Sequence, residues 1–300
     1  MSERIWSGVL PAITTPFRPD GSVDYPFLAR HARWLVDNGC RGVVALGSLG
    51  EGATLEKEEK MAVLAALVEA VGERVPVIAG VAALSTAQAV AIARGAEAAG
   101  CRGLMVLPPY VHKGPFLEMR AHFEAVFAAT GLSCMLYNNP IAYGTDVAPP
   151  EVAKLAERHA NLHAVKESSG DVRRLTATRA LLGDRLALFA GLDDMILEAL
   201  AMGADGWIAG LVNALPAESV KLVELGKAGR IEEAMKLYRW FLPLLRLDCV
   251  PEFVQLIKLV QQEVGMGSET VRLPRQPMQG AAREEALAVI REALAQRPAL

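Results

Sequence analysis

Lys166 closes an apolar run, Leu162-His-Ala-Val-Lys166, whereas the other lysines of the chain stand in helical or loop contexts. Burying an ammonium costs several kcal/mol unless it is paired, so a lysine in such a place calls for a reason. Position alone leaves two open. A desolvated amine gives up its proton more readily and attacks a carbonyl carbon. Alternatively, the lysine bridges to a carboxylate such as Glu167 or Asp193. Tyr137 weighs for the first. It ends the preceding apolar run and so should neighbour Lys166. A phenol there can move the protons that imine formation demands. On its own, a tyrosine at a strand end is more often structural. The segment Gly47-Ser-Leu-Gly-Glu51 adds bare backbone N–H groups and one hydroxyl, a cradle for a carboxylate or phosphate. Glycine-rich turns of this kind are common, so the segment alone says little.

These residues need a frame that gathers strand ends. Trp34-Leu-Val-Asp-Asn-Gly-Cys-Arg-Gly-Val-Val-Ala-Leu46 is echoed by Ala96-Glu-Ala-Ala-Gly-Cys-Arg-Gly-Leu-Met-Val-Leu107, and more loosely by Leu200-Ala-Met-Gly-Ala-Asp-Gly-Trp-Ile-Ala209. Each phrase reads as a helix end, a glycine cap, a short turn and a strand. The first two copies stand 61 residues apart, or two helix-plus-strand units of roughly 30 residues. Eight short apolar runs can be counted, at 9–16, 42–47, 76–82, 103–108, 133–137, 162–166, 186–191 and 206–210. They lack strict alternation, as expected of parallel strands buried on both faces. Helical patterns fill the gaps, with Ser85-Thr-Ala-Gln88 shaped like a capping box.

The alternation predicts a (β/α)8 TIM barrel. A doubly wound sheet is the other candidate, but Thr14-Thr-Pro-Phe follows the first strand where a GxGxxG would be expected. After Asn213 the pattern turns helical, at about 217–228, 231–247, 252–264 and 281–295. We read residues 1–225 as the catalytic barrel and 226–300 as a C-terminal helical extension packed on it, without a linker. In such barrels the active site lies at the C-terminal strand ends. That selects Thr14-Thr15, residues 47–51, Pro108-Pro-Tyr110, Tyr137-Asn-Asn-Pro140, Lys166-Glu-Ser-Ser169, Gly191-Leu-Asp-Asp194 and Ile208-Ala-Gly210.

Composition excludes several classes. With 52% hydrophobic and 22% charged residues over 300, the chain can bury a large core and is not a disordered tail. A net charge of −3, without a basic block, leaves no attraction for nucleic acid. The uncharged window 75–93 contains Pro76, Gly80, Ser85, Thr86 and Gln88, and breaks into a strand-like and a helix-like half rather than a membrane span. The start, Met1-Ser-Glu-Arg-Ile-Trp6, lacks a signal-peptide apolar stretch, so a cytoplasmic location is expected. Cys40, Cys101, Cys134 and Cys249 are scattered and read as reduced thiols, Cys40 and Cys101 being equivalent core positions of the repeat. His31, His112, His122, His159 and His163 form no HxH or HExxH, so no catalytic metal is expected. The aromatic-rich stretch 238–247 reads as core or subunit interface.

Together the chemistry-bearing residues resemble the dihydrodipicolinate synthase / N-acetylneuraminate lyase family of Schiff-base-forming aldolases, from about Gly8 to about Gly280. The markers are Pro11-Ala-Ile-Thr-Thr-Pro-Phe17, a G-[ST]-x-G-E loop at 47–51, Y-N-x-P at 137–140 and K-E-x-x-G at 166–170. The resemblance implies a (β/α)8 barrel with C-terminal helices, usually a homotetramer built as a dimer of dimers. It implies that Lys166 forms an imine with a 2-oxo acid, typically pyruvate, that Tyr137 relays protons and that the Ser48 hydroxyl links it onward. Tyr110 matches a tyrosine that reaches into the neighbouring subunit's site. Backbone groups of Ser48 and Leu49 would hold the substrate carboxylate, with Gly191 and Ile208 lining the pyruvate pocket. No cofactor is implied.

Two departures bear on substrate. Leu49 stands where the synthases carry a second hydroxyl, and Ala142 stands where they place an arginine for the aldehyde's carboxylate. Tyr143 beside it is suited to shaping a different pocket, and a substitute guanidinium would have to come from another loop, from Arg18, Arg173 or Arg174, which nothing in the spacing favours. The expected activity is a lyase on a 2-oxo acid, by retro-aldol cleavage, dehydration or deamination. The alternatives are dihydrodipicolinate synthase and, in another class, a non-catalytic 2-oxo acid sensor. A phosphate-binding barrel isomerase is the remaining alternative.

Overall fold

Apolar runs that cannot turn a polar face to water fold as parallel strands covered on both sides. The computed structural model describes residues 5–300, so residues 1–4 of the N-terminal segment considered for a signal peptide lie outside it. The strands are β1 (Gly8–Pro11), β2 (Val43–Ala45), β3 (Val77–Val81), β4 (Gly103–Val106), β5 (Ser133–Asn138), β6 (Leu162–Glu167), β7 (Ala187–Ala190) and β8 (Gly206–Ala209). All pair in parallel, in the order β1-β8-β7-β6-β5-β4-β3-β2. The two ends of that series meet. Arg41 N–H donates to Val9 C=O and Ile13 N–H to Val44 C=O, both at 2.9 Å, which nearly closes a (β/α)8 barrel.

The first apolar run, expected to be strand through residue 16, ends as a strand at Pro11 and leaves the sheet after the bridge from Ala12 to Val44. The reason lies in where its polar groups go. Thr14 N–H donates to Asn213 Oδ1 at 3.2 Å and the Thr15 hydroxyl to Gly50 C=O at 2.6 Å, so this half of the run braces two loops.

Side chains fill the barrel. Leu10, Val44, Ile78, Met105, Met135, Ala164, Phe189 and Ile208 form the interior cluster, and a larger layer lies between sheet and helices. The helices begin and end as local chemistry dictates. Asp24 caps the helix Tyr25–Asp37 by accepting Phe27 N–H at 3.0 Å. Ser85 caps Thr86–Ala98 by accepting Gln88 N–H at 3.3 Å, one half of the expected box. Gly39, Gly100 and Gly203 sit at φ of 94°, 87° and 87°, the left-handed turn that the recurring phrase predicts.

Past the helix Pro216–Lys227 come Ile231–Leu245, Phe253–Glu263 and Gly280–Ala295. Leu237, Phe241, Val254, Ile257, Leu287 and Ile290 from these helices join the barrel's outer core, with no break in packing. No helix among the described residues is long and apolar enough to cross a membrane.

Phe189 is fully buried in the barrel, edge-on to Trp6 at 6.3 Å, over Gly206, where a Cβ would come within 2.4 Å of its ring. Phe189→Ala should therefore cost about 3–5 kcal/mol in urea unfolding. Leu181→Ala, at a 54% exposed position, should stay within about 0.5 kcal/mol.

Candidate active site

Register puts the two leading residues side by side: in the β5/β6 ladder Tyr137 is paired with Lys166, and Asn138 with Glu167. Lys166 is 5% exposed, and its Nζ stands 4.3 Å from the centre of the Tyr137 ring. No hydrogen bond or ion pair engages that amine among the described residues. The carboxylates that could have bridged to it are occupied elsewhere. Glu167 accepts Asn138 Nδ2 at 3.1 Å and Ser169 N–H at 2.7 Å. Asp193 accepts Trp207 Nε1 at 3.1 Å, Gly210 N–H at 3.1 Å and Leu211 N–H at 2.8 Å. Burial lifts Asp193 to about 6, against the pull of those donors. No ion pair therefore bridges Lys166 among the described residues, and the Asp193 and Asp248 carboxyls interact with it only at longer range.

Space around the amine is made by glycine. A Cβ at Gly191 would lie 1.9 Å from Ser168 Oγ and 2.8 Å from Lys166 Cε. The Ser168 hydroxyl is itself buried and without a partner. Ile208 sits below in the barrel interior.

Across the mouth, the loop 47–51 is held from several sides. Leu46 and Glu51 both take positive φ, 63° and 52°, conformations that cost a non-glycine residue energy unless its surroundings enforce them. Glu51 supplies the enforcement. It is 1% exposed and accepts Lys258 Nζ at 2.6 Å and Arg272 N–H at 3.0 Å. Lys258 also donates to Thr270 C=O at 2.8 Å and stands 4.5 Å over the Phe17 ring. The result is a turn in which the Ser48 and Leu49 N–H groups donate to no protein acceptor among the described residues. Lys258 escaped the sequence reading. The signal was present: it lies among Val254, Leu256, Ile257, Leu259 and Val260 on the buried side of its helix.

The Ser48 hydroxyl hydrogen-bonds to the Tyr143 hydroxyl. Tyr143 meets Tyr137 edge-on at 5.9 Å and Tyr110 at 5.6 Å, so one buried ring joins the expected relay members. The Tyr137 hydroxyl accepts Asn139 Nδ2 at 3.0 Å. Local chemistry aims Tyr143 inward. Asn139 caps the turn Pro140–Tyr143 by accepting Ala142 N–H at 3.0 Å, and Ala142 is exposed on the other side. Burial first, then the neighbouring phenols, hold Tyr143 far above the ordinary tyrosine range, and burial raises Tyr110 too. Both are proton donors at neutral pH. Within the single chain Tyr110 lies on its own Tyr143, whereas the family resemblance implies a reach into a neighbour.

The remaining candidates do not join this site. A cavity of about 650 Å³ lined by His163 and Arg185 opens at the N-terminal ends of β6 and β7, away from Lys166. Cys40, Cys101 and Cys134 are buried thiols pushed up to about 12 by desolvation, which makes them poor nucleophiles.

A family model described as the dihydrodipicolinate synthetase family matches residues 5–293. The chain is 35% identical over 280 residues to the 4-hydroxy-tetrahydrodipicolinate synthase of Moorella thermoacetica, covering 93% of this chain and 94% of that one. To the same-named enzyme of Geobacter metallireducens it is 34% identical over 286 residues, 95% and 98% of the two chains. Among solved structures, a dihydrodipicolinate synthase of Bacillus anthracis superposes with a TM-score of 0.92 at 29% identity, over 98% and 99% of the chains. One from Acinetobacter baumannii, complexed with pyruvate, gives 0.91 at 28%, over 96% and 99%.

The Glu51–Lys258 pair has a measurable consequence. Lys258→Met strands a buried carboxylate and should cost about 3–5 kcal/mol, whereas combining it with Glu51→Gln should recover most of that loss. Urea unfolding of the two single variants and the double variant measures both.

Proposed function

The chain belongs to the dihydrodipicolinate synthetase family, whose members are Schiff-base-forming lyases, and from that premise we propose that it cleaves or dehydrates a 2-oxo acid through an imine on Lys166. The observation that carries this reading is the buried Lys166 amine, in no ion pair among the described residues and facing the Tyr137 ring. Mere binding of a 2-oxo acid has no use for such a pair, which weighs against a sensor.

In this proposal the Lys166 lone pair adds to the 2-oxo carbon, and the carbonyl oxygen departs as water. Tyr137 delivers and collects protons, with Ser48, Tyr143 and Tyr110 as the hydroxyls that pass them on. The free N–H groups of Ser48 and Leu49 hold the substrate carboxylate, as preorganised donors do for an anion. Gly191 and Ile208 bound the pyruvate-like portion. The resulting imine withdraws electrons from the adjacent carbon, which opens retro-aldol cleavage, dehydration or deamination. The chemistry needs neither metal nor cofactor. The homotetramer implied by the resemblance and a cytoplasmic location belong to the same proposal.

The names of the relatives favour a second reading, a synthase condensing pyruvate with aspartate semialdehyde. Ala142 weighs against it. The guanidiniums on neighbouring loops do not substitute, because each has a carboxylate already: Arg174 with Asp146 at 2.6 Å, Arg173 with Asp171 at 2.7 Å and Arg18 with Asp24 at 3.8 Å.

Two outcomes are expected. Pyruvate with borohydride should leave a reduced three-carbon adduct on the Lys166 peptide, and Lys166→Ala should abolish adduct and turnover. An adduct on another lysine refutes the mechanism. Second, losing a bidentate carboxylate clamp costs a few kcal/mol, so kcat/KM with aspartate semialdehyde should fall roughly 10²-fold or more below that of the best 2-oxo acid. The panel spans 4-hydroxy-2-oxoglutarate, 2-keto-3-deoxy sugar acids and sialic acid, read by release of pyruvate, water or ammonia. Should the semialdehyde win, the chain is a synthase.

A further inference from the structure

One carboxyl group near Lys166 comes from outside the barrel. Asp248 ends the short turn Arg246–Asp248, which follows the helix Ile231–Leu245 of the C-terminal extension. Its side chain lies over the end of β8: a Cβ at Gly210 would fall 1.9 Å from Asp248 Oδ1. Lys166 Cε lies in the same way over Gly191, at the end of β7. The amine and the carboxyl thus fill glycine-made gaps on adjacent strands, yet no ion pair joins them among the described residues. Asp248 Oδ1 is buried and has no hydrogen-bond partner. Leaving such an acceptor unmet is costly, and more so when it is charged, so a group placed this way has a use elsewhere than in stability.

We propose that Asp248 is a catalytic acid of this site, donating a proton to a hydroxyl that departs from a 2-oxo acid held as an imine on Lys166. The proposal rests on the Schiff-base reading and selects, within it, elimination of water from a 4-hydroxy-2-oxo acid. The step balances as follows. The imine of such a substrate loses a proton from C3 to the hydroxyl relay and thence to solvent, leaving an enamine. The enamine electrons then form a C3=C4 double bond as the C4–O bond breaks. The Asp248 proton goes to the leaving oxygen, water departs, and the Asp248 carboxylate takes back a proton from solvent before the next cycle.

The groups facing Asp248 suit it to carry that proton. Lys166 faces it from β6, Asp193 and Asp194 from the turn after β7, and Cys249 is its own neighbour. Asp194 accepts the Cys249 thiol at 3.1 Å, and its C=O accepts the Tyr238 hydroxyl, which also donates to Glu198 at 2.9 Å. Burial first, then the charge of Asp193, raises Asp248 well above the usual carboxylate range, with Lys166 opposing and Asp194 adding to the rise. A group whose acid form does the work loses activity as pH climbs through its pKa, so Asp248 should set an alkaline limb.

The test compares Asp248→Asn with the unaltered protein, using pyruvate for borohydride trapping and a 2-keto-3-deoxy sugar acid for water loss. The variant should still trap pyruvate on Lys166, while kcat for dehydration falls about 10²-fold or more and the alkaline limb of its pH profile disappears. Unchanged dehydration overturns the proposal. So does a parallel fall of trapping and turnover, which would mark Asp248 as a prop for the fold. Pyruvate release as the sole reaction overturns it too. If the unaltered protein fails to trap pyruvate, the Schiff-base reading itself has failed, an outcome distinct from the others.

Discussion

An amine-bearing side chain is buried at the end of β6 with no ion pair among the described residues, and the upper rim of the barrel is organised around that fact. An isolated buried charge would be prohibitive in a sealed core. The barrel mouth is the one place where it is tolerable, because strand ends diverge there and a loop, not a packed layer, covers them. The Tyr137 ring offers its electron-rich face at 4.3 Å, a partner that leaves the nitrogen lone pair free once the proton is gone. Gly191 and Gly210 keep methyl groups away from Lys166 and Asp248. Glu167 and Asp193, which could have bridged to the amine, accept backbone N–H groups instead.

The C-terminal extension serves this arrangement twice. Lys258 and the Arg272 backbone clamp Glu51, which holds the loop 47–51 in a left-handed turn that it would not keep unaided. Buried ion pairs contribute little net stability against their desolvation, so the pair is better understood as setting geometry. It fixes the turn in which the Ser48 and Leu49 N–H groups have no protein acceptor among the described residues. From the other side the same extension brings Asp248 over β8. The barrel thus supplies the buried Lys166 amine, and the appended helices supply part of its surroundings.

What was legible in the sequence was whatever repeats or pairs at short range. The helix-cap glycines at 39, 100 and 203, the eight apolar runs and the pairing of Tyr137 with Lys166 all follow from periodicity and chain order. What was not legible lies between residues far apart in sequence. Glu51 and Lys258 are separated by 207 positions, and nothing in either segment names the other. Lys258 was recoverable in part, since a lysine among buried aliphatics invites the question asked of Lys166. The sequence offers Tyr143 only as a pocket-shaping residue, because its bond to Ser48 depends on how the turn Pro140–Tyr143 rotates between exposed Ala142 and the interior. The first strand was over-extended because Thr14 and Thr15 look strand-like, and their hydrogen bonds to Asn213 and Gly50 are invisible in one dimension.

The same turn carries the argument about substrate. A guanidinium at position 142 would recognise a second carboxylate with paired, charge-assisted hydrogen bonds. Here the turn presents the Tyr143 hydroxyl inward instead, and the neighbouring arginines spend their charge on Asp146, Asp171 and Asp24. Around the Lys166 amine stand phenols held in their protonated form, the unpartnered Ser168 hydroxyl and the buried Asp248 carboxyl. Such a lining is rich in hydroxyl and carboxyl groups, with the Arg275 charge acting on the Tyr110 phenol. It accommodates hydroxyl groups, which can both donate and accept. On the proposed Schiff-base reading, such a rim suits a 2-oxo acid whose distal half is hydroxylated.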